Sequence, residues 1–459
     1  MIALEFAPVQ TTGAFRSIDL ARYLPEHGID PTVLTIEPDY AAQTFGAKRN
    51  DALLSGLPST VRVQHLQPAV ALDPRSETPL ARWLRMFGNL DDTFFKRFER
   101  SLREQVSIGA NGSSFDAVYA SLPPFGAGRL AELASRLLGK PLILDMRDAW
   151  SAFEQGPSMS YAHHVAKVRG EARALASATA VITVTDRLAD LFRFSHPSVP
   201  SNRFHVVPNG FDGPLFESEK IPPQQIRDEF HIAYVGTYYY QPRQRRTLRR
   251  PHTLLQYSPG QEDWSYRSPL YFFKAWRELA KRDPDTARRI RFHHIGNVPS
   301  WLEPMLSAHG LASQSKLWGS LPKHEVAPVL DGMDAQLATS MKRIAGGDYC
   351  LASKTFDYVK ARKPILGFVT EGSQKDFLVQ SGGAIICDPD DAAASAETMR
   401  RLVLGELPSL ELNVDFLNRF HRRNAARQTA MIIDSVTRGG REMSRMGASA
   451  RKTEQSAVG

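Results

Sequence analysis

The sequence predicts an α/β protein made of two doubly wound domains. Short apolar strands alternate with amphipathic helices in two separate sets along the chain, and this alternation is typical of parallel sheets covered by helices. A chain of 459 residues is also too long for one ordinary hydrophobic core. The predicted domains cover residues 1–212 and 228–405, and a proline- and glycine-containing linker joins them at 213–227.

The first domain begins with a βαβ unit. Residues 2–6 are predicted as a strand, 15–27 as an amphipathic helix and 32–36 as the next strand. The crossover of such a unit is right-handed, which places the strand-to-helix loop at the carboxyl edge of the sheet, where ligands bind. The other strands predicted in this domain are 61–65, 116–121, 142–145, 180–185 and 203–207.

The second domain repeats this pattern, and the rest of the chain follows it. Residues 406–438 are predicted as terminal helices that pack back toward the first domain. Residues 439–459 are rich in Ser, Ala, Gly and charge, so we expect a disordered tail. The strands predicted in the second domain are 231–236, 290–295, 316–318, 335–338, 364–368 and 383–387.

The composition is that of a soluble globular protein. Hydrophobic residues make up 42% and charged residues 23% of the chain, and no apolar run of about 18 residues suggests a membrane span. The N-terminus lacks the features of a signal peptide. The two cysteines make neither a disulfide framework nor a metal-ligand pattern, so we expect a cytoplasmic protein with no metal and no cofactor.

The formal net charge of +8 favours anionic partners. Charge alone does not choose among nucleic acid, anionic lipid and a nucleotide-sugar. Because nothing else in the sequence indicates a nucleic-acid site, we do not expect one.

The run 349–366 is the most informative part of the sequence. It predicts a loop, a short helix that begins near Ser353, and a strand. The N-terminus of that helix offers N–H groups and a positive dipole end to a phosphate or sugar oxygen. Asp357 in the first or second turn could accept two hydroxyl hydrogen bonds from a ribose. The alternative is an ordinary capped helix that leads into a buried strand.

Residues 353–366 resemble the Ser-Lys-x-x-Glu-Tyr-x-x-x-x-Lys-Pro-Ile-Leu signature of bacterial sugar-nucleotide glycosyltransferases with the GT-B fold, of the retaining family 4 or group 1 type. Three further segments resemble motifs of this family and occur in the same order. They are the glycine-containing loop 11–16, the Asp-x-Arg-Asp-x-Trp motif at 145–150 and the Val-Pro-Asn-Gly-x-Asp turn at 207–212.

The resemblance implies two Rossmann-like domains that face each other across a cleft, with the donor on the second domain and the acceptor on the first. It implies transfer of a sugar from a nucleotide-sugar, UDP-sugar before GDP-sugar, to a hydroxyl group, with retention and without a required metal. The implied setting is the assembly of capsule, exopolysaccharide or lipopolysaccharide, with a glycan or lipid-linked acceptor.

The resemblance also nominates site residues. Arg147 and Asp148, at the exit of a first-domain strand, would contact the reacting sugar or the acceptor. An Asp–Arg ion pair that fixes the loop is the alternative, and both can hold. The expected donor-binding residues are Gly13, Arg16, Asn209, Gly236, Thr237, Arg267, Lys354 and Asp357.

Several of these residues have simple physical reasons to be there. Gly13 has no side chain, so backbone N–H groups of its loop can approach an anion. The guanidinium of Arg267 can pair bidentately with phosphate oxygens. The turn at Asn209-Gly210 allows a positive φ, and a tight turn alone would explain it.

The sequence departs from the family at one motif. Relatives with a Glu-x7-Glu motif place a first Glu eight residues before the ribose carboxylate. Tyr349 stands at that position here, and Asp357 replaces the second Glu. The first change puts a sugar contact in doubt, and the second shortens the reach to the ribose by one methylene.

Two segments interrupt the regular pattern. Residues 80–106 interleave bulky apolar residues, among them Trp83, Phe87 and Phe98, with Arg and Lys. This segment either docks on an anionic membrane surface or packs on the first sheet with a solvated basic face. Residues 241–265 hold five arginines within 243–250, which indicate either a phosphate-binding or a solvated loop.

Three other functions compete with a transferase. A non-catalytic binding protein on the same scaffold is favoured by Tyr349 and by the basic insertion. A nucleotide-sugar epimerase shares the two-domain fold, but its expected carboxylate and histidine pattern is missing. A dehydrogenase would need Gly-x-Gly-x-x-Gly after a strand, which the Gly13 loop does not supply.

Overall fold

The computed structural model describes residues 1–69, 91–112, 115–154, 158–222, 227–242, 254–321 and 323–438. Within these ranges the predicted α/β class is confirmed. Two parallel sheets form, and their strands alternate with helices along the chain. The strands are rich in apolar residues on both faces because both faces are buried.

The first sheet lies near the N-terminus. It consists of two groups of parallel strands that are joined by the single residue Ile2. Ile2 pairs in parallel with Leu34 on one side and with Ala120 on the other. In order across the sheet the positions are Arg62–Leu66, Thr32–Ile36, Ile2, Val118–Leu122, Leu142–Met146, Ala180–Thr183 and Phe204–Val206.

The predicted strand 2–6 is therefore shorter than expected. Beyond Leu4 the chain leaves the sheet and reaches Pro8, which has no N–H group for a ladder. It then forms the short strand Val9–Gln10, antiparallel to Lys48–Arg49. Glu5 is thereby left at the carboxyl edge of the sheet.

The helices of the first domain begin where the sequence supplies caps. Thr11 accepts a hydrogen bond from the backbone N–H of Ala14 (3.0 Å), so the first helix starts at Thr12 and not at residue 15. The residues Leu24–His27, with Pro25, continue as a 3-10 turn. The helices are Thr12–Tyr23, Pro38–Phe45, Ala52–Ser55, Asp91–Gly112, Gly126–Leu138, Tyr161–Ser177 and Asp186–Ser195.

The second sheet has the strand order 3-2-1-4-5-6. In such a sheet ligands bind at the point where the order reverses, outside the carboxyl ends of the strands. That point lies between Phe230–Val235 and Ala335–Thr339. In order across the sheet the strands are Ser315–Gly319, Ile290–Ile295, Phe230–Val235, Ala335–Thr339, Ile365–Phe368 and Ala384–Cys387.

The helices of the second domain follow these strands. Sequence analysis missed Ala392–Val403, whose cap Asp391 accepts hydrogen bonds from two backbone N–H groups. The helices are Leu270–Arg282, Pro284–Arg289, Leu302–Ala308, Lys323–Asp331, Lys354–Lys360, Ser373–Ser381, Ala392–Val403 and Val414–Asn418, and a last helix covers 422–438.

The described part of the segment 80–106 packs inside the first domain. Phe98 and Leu102 lie on one face of the helix Asp91–Gly112 and are completely buried against the core, while Arg100 is exposed. Phe98 therefore cannot contact a membrane. Trp83 and Phe87 lie outside the described residues, and the membrane surface stays a prediction. None of the helices in the described part of the chain is long and apolar enough to cross a bilayer.

The two domains are joined by two chain segments, which pair with each other through backbone hydrogen bonds. The backbone N–H of Phe211 donates to the carbonyl of Phe420 (3.1 Å), and the N–H of Arg422 donates to the carbonyl of Phe211 (3.0 Å). The last helix then packs Ala426 and Ala430 against the core of the first domain.

Gly210 is required by the close approach of these two paired segments and not by its φ angle. It is not among the glycines with positive φ, so the expected left-handed turn is wrong. A Cβ atom on Gly210 would lie 1.7 Å from the carbonyl oxygen of Phe420. Only glycine therefore lets the linker and the returning chain pair.

Gly210→Ala should lower the free energy of unfolding by about 1–3 kcal/mol, because the backbone must shift to admit the methyl group. Chemical denaturation measures the effect. The matched control is Gly332→Ala, whose new Cβ would meet only the Val329 carbonyl at an ordinary 3.5 Å. Equal stability of the two variants would contradict the role given to Gly210.

Candidate active site

The carboxyl ends of the two sheets face each other across a cleft. Thr185 of the first domain donates to the carbonyl of Tyr349 in the second (2.8 Å). Asp148 lies close enough to Arg267 and Cys350 for their charges to affect each other. Asp148 of the predicted catalytic pair and Arg267 of the predicted donor-binding residues therefore lie near each other.

Arg267 is the central cation of the cleft. The residue is 7% exposed, and its guanidinium packs near the rings of Tyr239 (5.3 Å) and Trp264 (5.5 Å). Among the described residues no hydrogen bond or ion pair satisfies it. Burial alone would lower the pKa of Arg267, but the acidic side chains of Cys350 and Asp348 raise it above the ordinary value. Arg267 therefore stays charged.

Lys354 is a second basic side chain of the cleft, and it has no anionic partner among the described residues. Its Nζ is shielded from solvent, forms no hydrogen bond within the described structure, and lies 3.4 Å from the centre of the Tyr234 ring. Burial lowers the pKa of Lys354 well below its ordinary value, and the charge of Arg267 adds to this. The helix begins at Lys354, and the Ser353 side chain makes no capping bond.

Asp148 faces these cations from the first domain. Its carboxyl is half-buried, and within the described ranges no hydrogen bond reaches it. Burial raises the pKa of Asp148, while the nearby Arg147 and Arg267 oppose that rise. A carboxyl group in this state can accept a proton or a hydrogen bond from an incoming hydroxyl.

Arg147 belongs to the loop that carries Asp148. It donates to the carbonyls of Leu122 (3.3 Å) and Gly13 (2.8 Å) and to that of Pro123. Glu5 lies 3.9 Å away. A Cβ on Gly13 would come within 2.6 Å of both Arg147 and Glu5, so Gly13 makes room for these side chains. Anion binding by the backbone of this loop stays a prediction.

Arg16 has a structural role in the first domain. It forms two hydrogen bonds with the Asp145 carboxylate (2.7 and 3.0 Å). It also donates to the carbonyls of Val207 (2.9 Å) and Pro208 (3.1 Å) and to the side chain of Asn209 (3.2 Å). These five bonds use every N–H group of the guanidinium, so none is left to bind a nucleotide-sugar. Arg16 and Asn209 instead join the first sheet to the linker.

The remaining donor residues lie where the second sheet ends. Gly236 follows the strand Phe230–Val235 with a φ of 96°, and Thr237 next to it is exposed. Asp357 is exposed on the helix that starts at Lys354. Because residues three apart share a helix face, Asp357 lies on the same face as Lys354. Donor binding by these residues stays a prediction.

Comparison with known proteins gives the same architecture. Residues 14–210 match the family model described as a glycosyl transferase 4-like domain. The crystal structure of Alr3699/HepE from Anabaena, in complex with UDP and glucose, aligns over 95% of this chain and 99% of its own, with a TM-score of 0.54 and 12% identity. The chain has the GT-B fold.

Two further GT-B structures align at 12% identity. The apo form of the lipopolysaccharide outer core galactosyltransferase WaaB has a TM-score of 0.52, and covers 94% of this chain and 99% of its own. WaaG, a glycosyltransferase involved in lipopolysaccharide biosynthesis, has a TM-score of 0.51, and the alignment covers 96% of this chain and 98% of WaaG. A search of curated proteins gives no significant match. The predicted resemblance to GT-B glycosyltransferases is confirmed.

Tyr349 marks where this GT-B chain departs from the Glu-x7-Glu pattern. Its ring is buried in the core cluster of the first domain, and its hydroxyl donates to Glu262 (2.9 Å). Tyr349 therefore joins the domains and presents no polar group to the cleft. Its neighbours in the loop, Asp348 and Cys350, lie beside Arg267 instead.

The sequence did not single out two polar residues of this site. They are Glu5 beside Arg147, and Glu262, which accepts a hydrogen bond from the Tyr349 hydroxyl. Glu5 follows the first strand, which could have drawn attention to it, whereas no local signal marked Glu262. Within the described ranges no group of three or more His, Cys, Asp or Glu side chains could hold a metal ion.

Asp348 should make the stability of the protein depend on pH. Its side chain is buried and accepts hydrogen bonds from the backbone N–H groups of Cys350 (2.7 Å) and Met341 (3.3 Å). Burial raises the pKa of Asp348 from 3.8 to about 6, although Arg267 opposes the rise. The folded protein thus holds this proton more tightly than the unfolded chain, and the resulting stability is lost as the pH rises from about 4 to about 6.

Asp348→Asn should remove this loss. Relative to the variant, the wild type should lose up to about 3 kcal/mol of unfolding free energy between pH 4 and pH 7, at about 1.4 kcal/mol per pKa unit. Urea denaturation across this range measures the difference. A difference that does not change with pH would show that Asp348 titrates normally.

Proposed function

We propose that this chain is a glycosyltransferase that moves a sugar from a UDP-sugar to a hydroxyl acceptor. The observation that carries this proposal is the pair of buried basic side chains, Arg267 and Lys354, which form no ion pair in the described structure. They lie at the carboxyl edge of the second sheet, close to the point where its strand order reverses. The diphosphate of a nucleotide-sugar would supply hydrogen-bond acceptors to both side chains, and its negative charge would favour the protonated form of Lys354.

The energetics of burial support a binding role for these cations. A buried basic group without a hydrogen-bond partner costs folding free energy whether it is charged or neutral, so a chain that keeps two of them near each other needs them for another purpose. In sugar transfer, negative charge develops on the leaving diphosphate, and fixed cations in a shielded site stabilise it strongly. We therefore assign to Arg267 and Lys354 the charge stabilisation that a metal ion gives in other transferases.

Asp148 and Arg147 would act on the acceptor side. The acceptor oxygen forms a bond to the anomeric carbon while the bond from that carbon to the diphosphate breaks. In a retaining reaction on one face, the proton of the acceptor hydroxyl passes to the leaving phosphate, and no protein nucleophile is needed. Asp148 would orient that hydroxyl by accepting a hydrogen bond, and Arg147 holds the loop in place.

The comparisons support UDP as the nucleotide and a cell-surface product. HepE was crystallised with UDP and with UDP and glucose, and WaaB and WaaG act in lipopolysaccharide biosynthesis. We propose that the acceptor is a glycan or a lipid-linked glycan, reached in the cytoplasm or at the inner face of the membrane. Asp357, Gly236 and Thr237 would bind the ribose and the phosphates.

Arg267→Gln should weaken UDP binding about tenfold or more, because a hydrogen bond to a charged group contributes about 1.5–3 kcal/mol. Lys354→Met should weaken UDP binding as well, yet raise the melting temperature of the ligand-free protein, because it removes a buried amine that has no hydrogen-bond partner. Calorimetry with UDP and thermal unfolding measure the two effects.

The matched control is Arg282→Gln, on the exposed side of the helix Leu270–Arg282, which should leave UDP affinity unchanged. UDP binding that survives both Arg267→Gln and Lys354→Met would place the nucleotide elsewhere and overturn the proposal.

The burial of Tyr349 favours one alternative, a binding protein that has lost transfer activity. Release of UDP from UDP-sugars, assayed with glycan acceptors and without them, separates the two functions. Tight UDP binding without release of UDP from any donor would favour the binding protein. Interconversion of two UDP-sugars without an acceptor would favour an epimerase.

A further inference from the structure

We propose that Glu154 is a positioning residue for the donor site, and this inference rests on the proposed function. Glu154 belongs to the first domain, but it binds the chain segment of the second domain that leads to Arg267. The first domain would thereby fix the cation that the second domain offers to the diphosphate.

The segment in question is residues 254–263, called the clamp segment here. The Glu154 carboxylate accepts hydrogen bonds from the backbone N–H groups of Gly260 (2.7 Å) and Gln261 (2.9 Å) and from the hydroxyl of Ser258. One side chain of the first domain thus binds three donors of the clamp segment. Hydrogen bonds to an ionised carboxylate are about twice as strong as neutral ones.

A second set of contacts holds the clamp segment to the same surface. Tyr257 and Ser158 exchange two backbone hydrogen bonds of 2.7 and 2.9 Å, as in an antiparallel strand pair. The Tyr257 ring packs against Tyr161 and His164, with ring centres 5.0 and 4.9 Å apart. The clamp segment is therefore anchored along its length.

Glu262 connects the clamp segment with Trp264, which is close to Arg267 in the chain. Its carboxylate accepts hydrogen bonds from the backbone N–H of Glu154 (2.9 Å), the indole N–H of Trp264 (3.0 Å) and the hydroxyl of Tyr349 (2.9 Å). The Trp264 ring also packs edge-on against Phe153 of the first domain (5.2 Å). Glu262 thus fixes Trp264 to the first domain.

Trp264 and Arg267 are the two ends of one 3-10 turn, Trp264–Arg267, and the Arg267 guanidinium lies over the Trp264 ring. The second domain holds the same turn through Tyr266, which donates to Asp390. Arg267 is therefore positioned from both domains. If the domains separate, Arg267 loses the contacts that hold it from the first domain.

A double-mutant cycle tests this inference, with UDP affinity measured by calorimetry on the full chain. Glu154→Gln keeps the shape of the side chain but replaces the carboxylate, which accepts three hydrogen bonds, with an uncharged amide. This variant should weaken UDP binding about fivefold to twentyfold. In the Arg267→Gln background, Glu154→Gln should have no further effect, because Glu154 acts through Arg267.

The control is Asp376→Asn, which weakens another contact between the domains, the ion pair of Asp376 with Arg187 (2.8 Å). It does not touch the clamp segment, so UDP affinity should stay unchanged. Glu154→Asp, which keeps the charge, should recover part of the affinity lost in Glu154→Gln.

Unchanged UDP affinity in Glu154→Gln, or an equal loss in both backgrounds, would overturn the positioning role. If thermal unfolding shows that Glu154→Gln does not fold, Ser258→Ala, which removes one of the three donors, replaces it in the same cycle under the same criteria. Absence of UDP binding in the wild type would instead overturn the proposed function, so the two failures are distinguishable.

Discussion

The cleft of this protein is organised around two buried basic side chains for which the described chain offers no ion-pair partner. Arg267 and Lys354 come from different parts of the second domain, and no described residue pairs with either of them in an ion pair. Burial and the nearby charge of Arg267 lower the pKa of Lys354 well below its ordinary value. The Lys354 ammonium lies against the Tyr234 ring, and the Arg267 guanidinium lies over the Trp264 ring. An anion that enters the cleft would favour the protonated form of Lys354 and pair with both side chains.

The other arginines of the cleft show by contrast what a structural role looks like. Arg16 uses all its N–H groups on Asp145 and the linker, and Arg147 is bound to three backbone carbonyls. Satisfied arginines fix the framework, whereas Arg267 remains available to a ligand. The same residue type therefore has two uses in one cleft, and only the hydrogen bonds of each side chain distinguish them.

The sequence predicted the fold well because apolar strands and capped helices are local signals. The strands Thr32–Ile36 and Ile290–Ile295 have the predicted bounds. The errors arise where distant contacts decide. Gly210 is needed for the Phe420 carbonyl, which is 210 residues away in the chain, and Arg16 was expected to bind the donor because nothing local shows its partners. The roles of Asp348 and Glu262 likewise depend on side chains far away in sequence.

The central claim is that Arg267 and Lys354 together bind the diphosphate of a nucleotide. A crystal structure of the full chain with UDP tests it most directly. The account predicts phosphate oxygens within hydrogen-bonding distance of both the Arg267 guanidinium and the Lys354 ammonium, with Asp148 facing the terminal phosphate across the cleft. A structure with UDP bound at another place, and with both cations still unpaired, would contradict it.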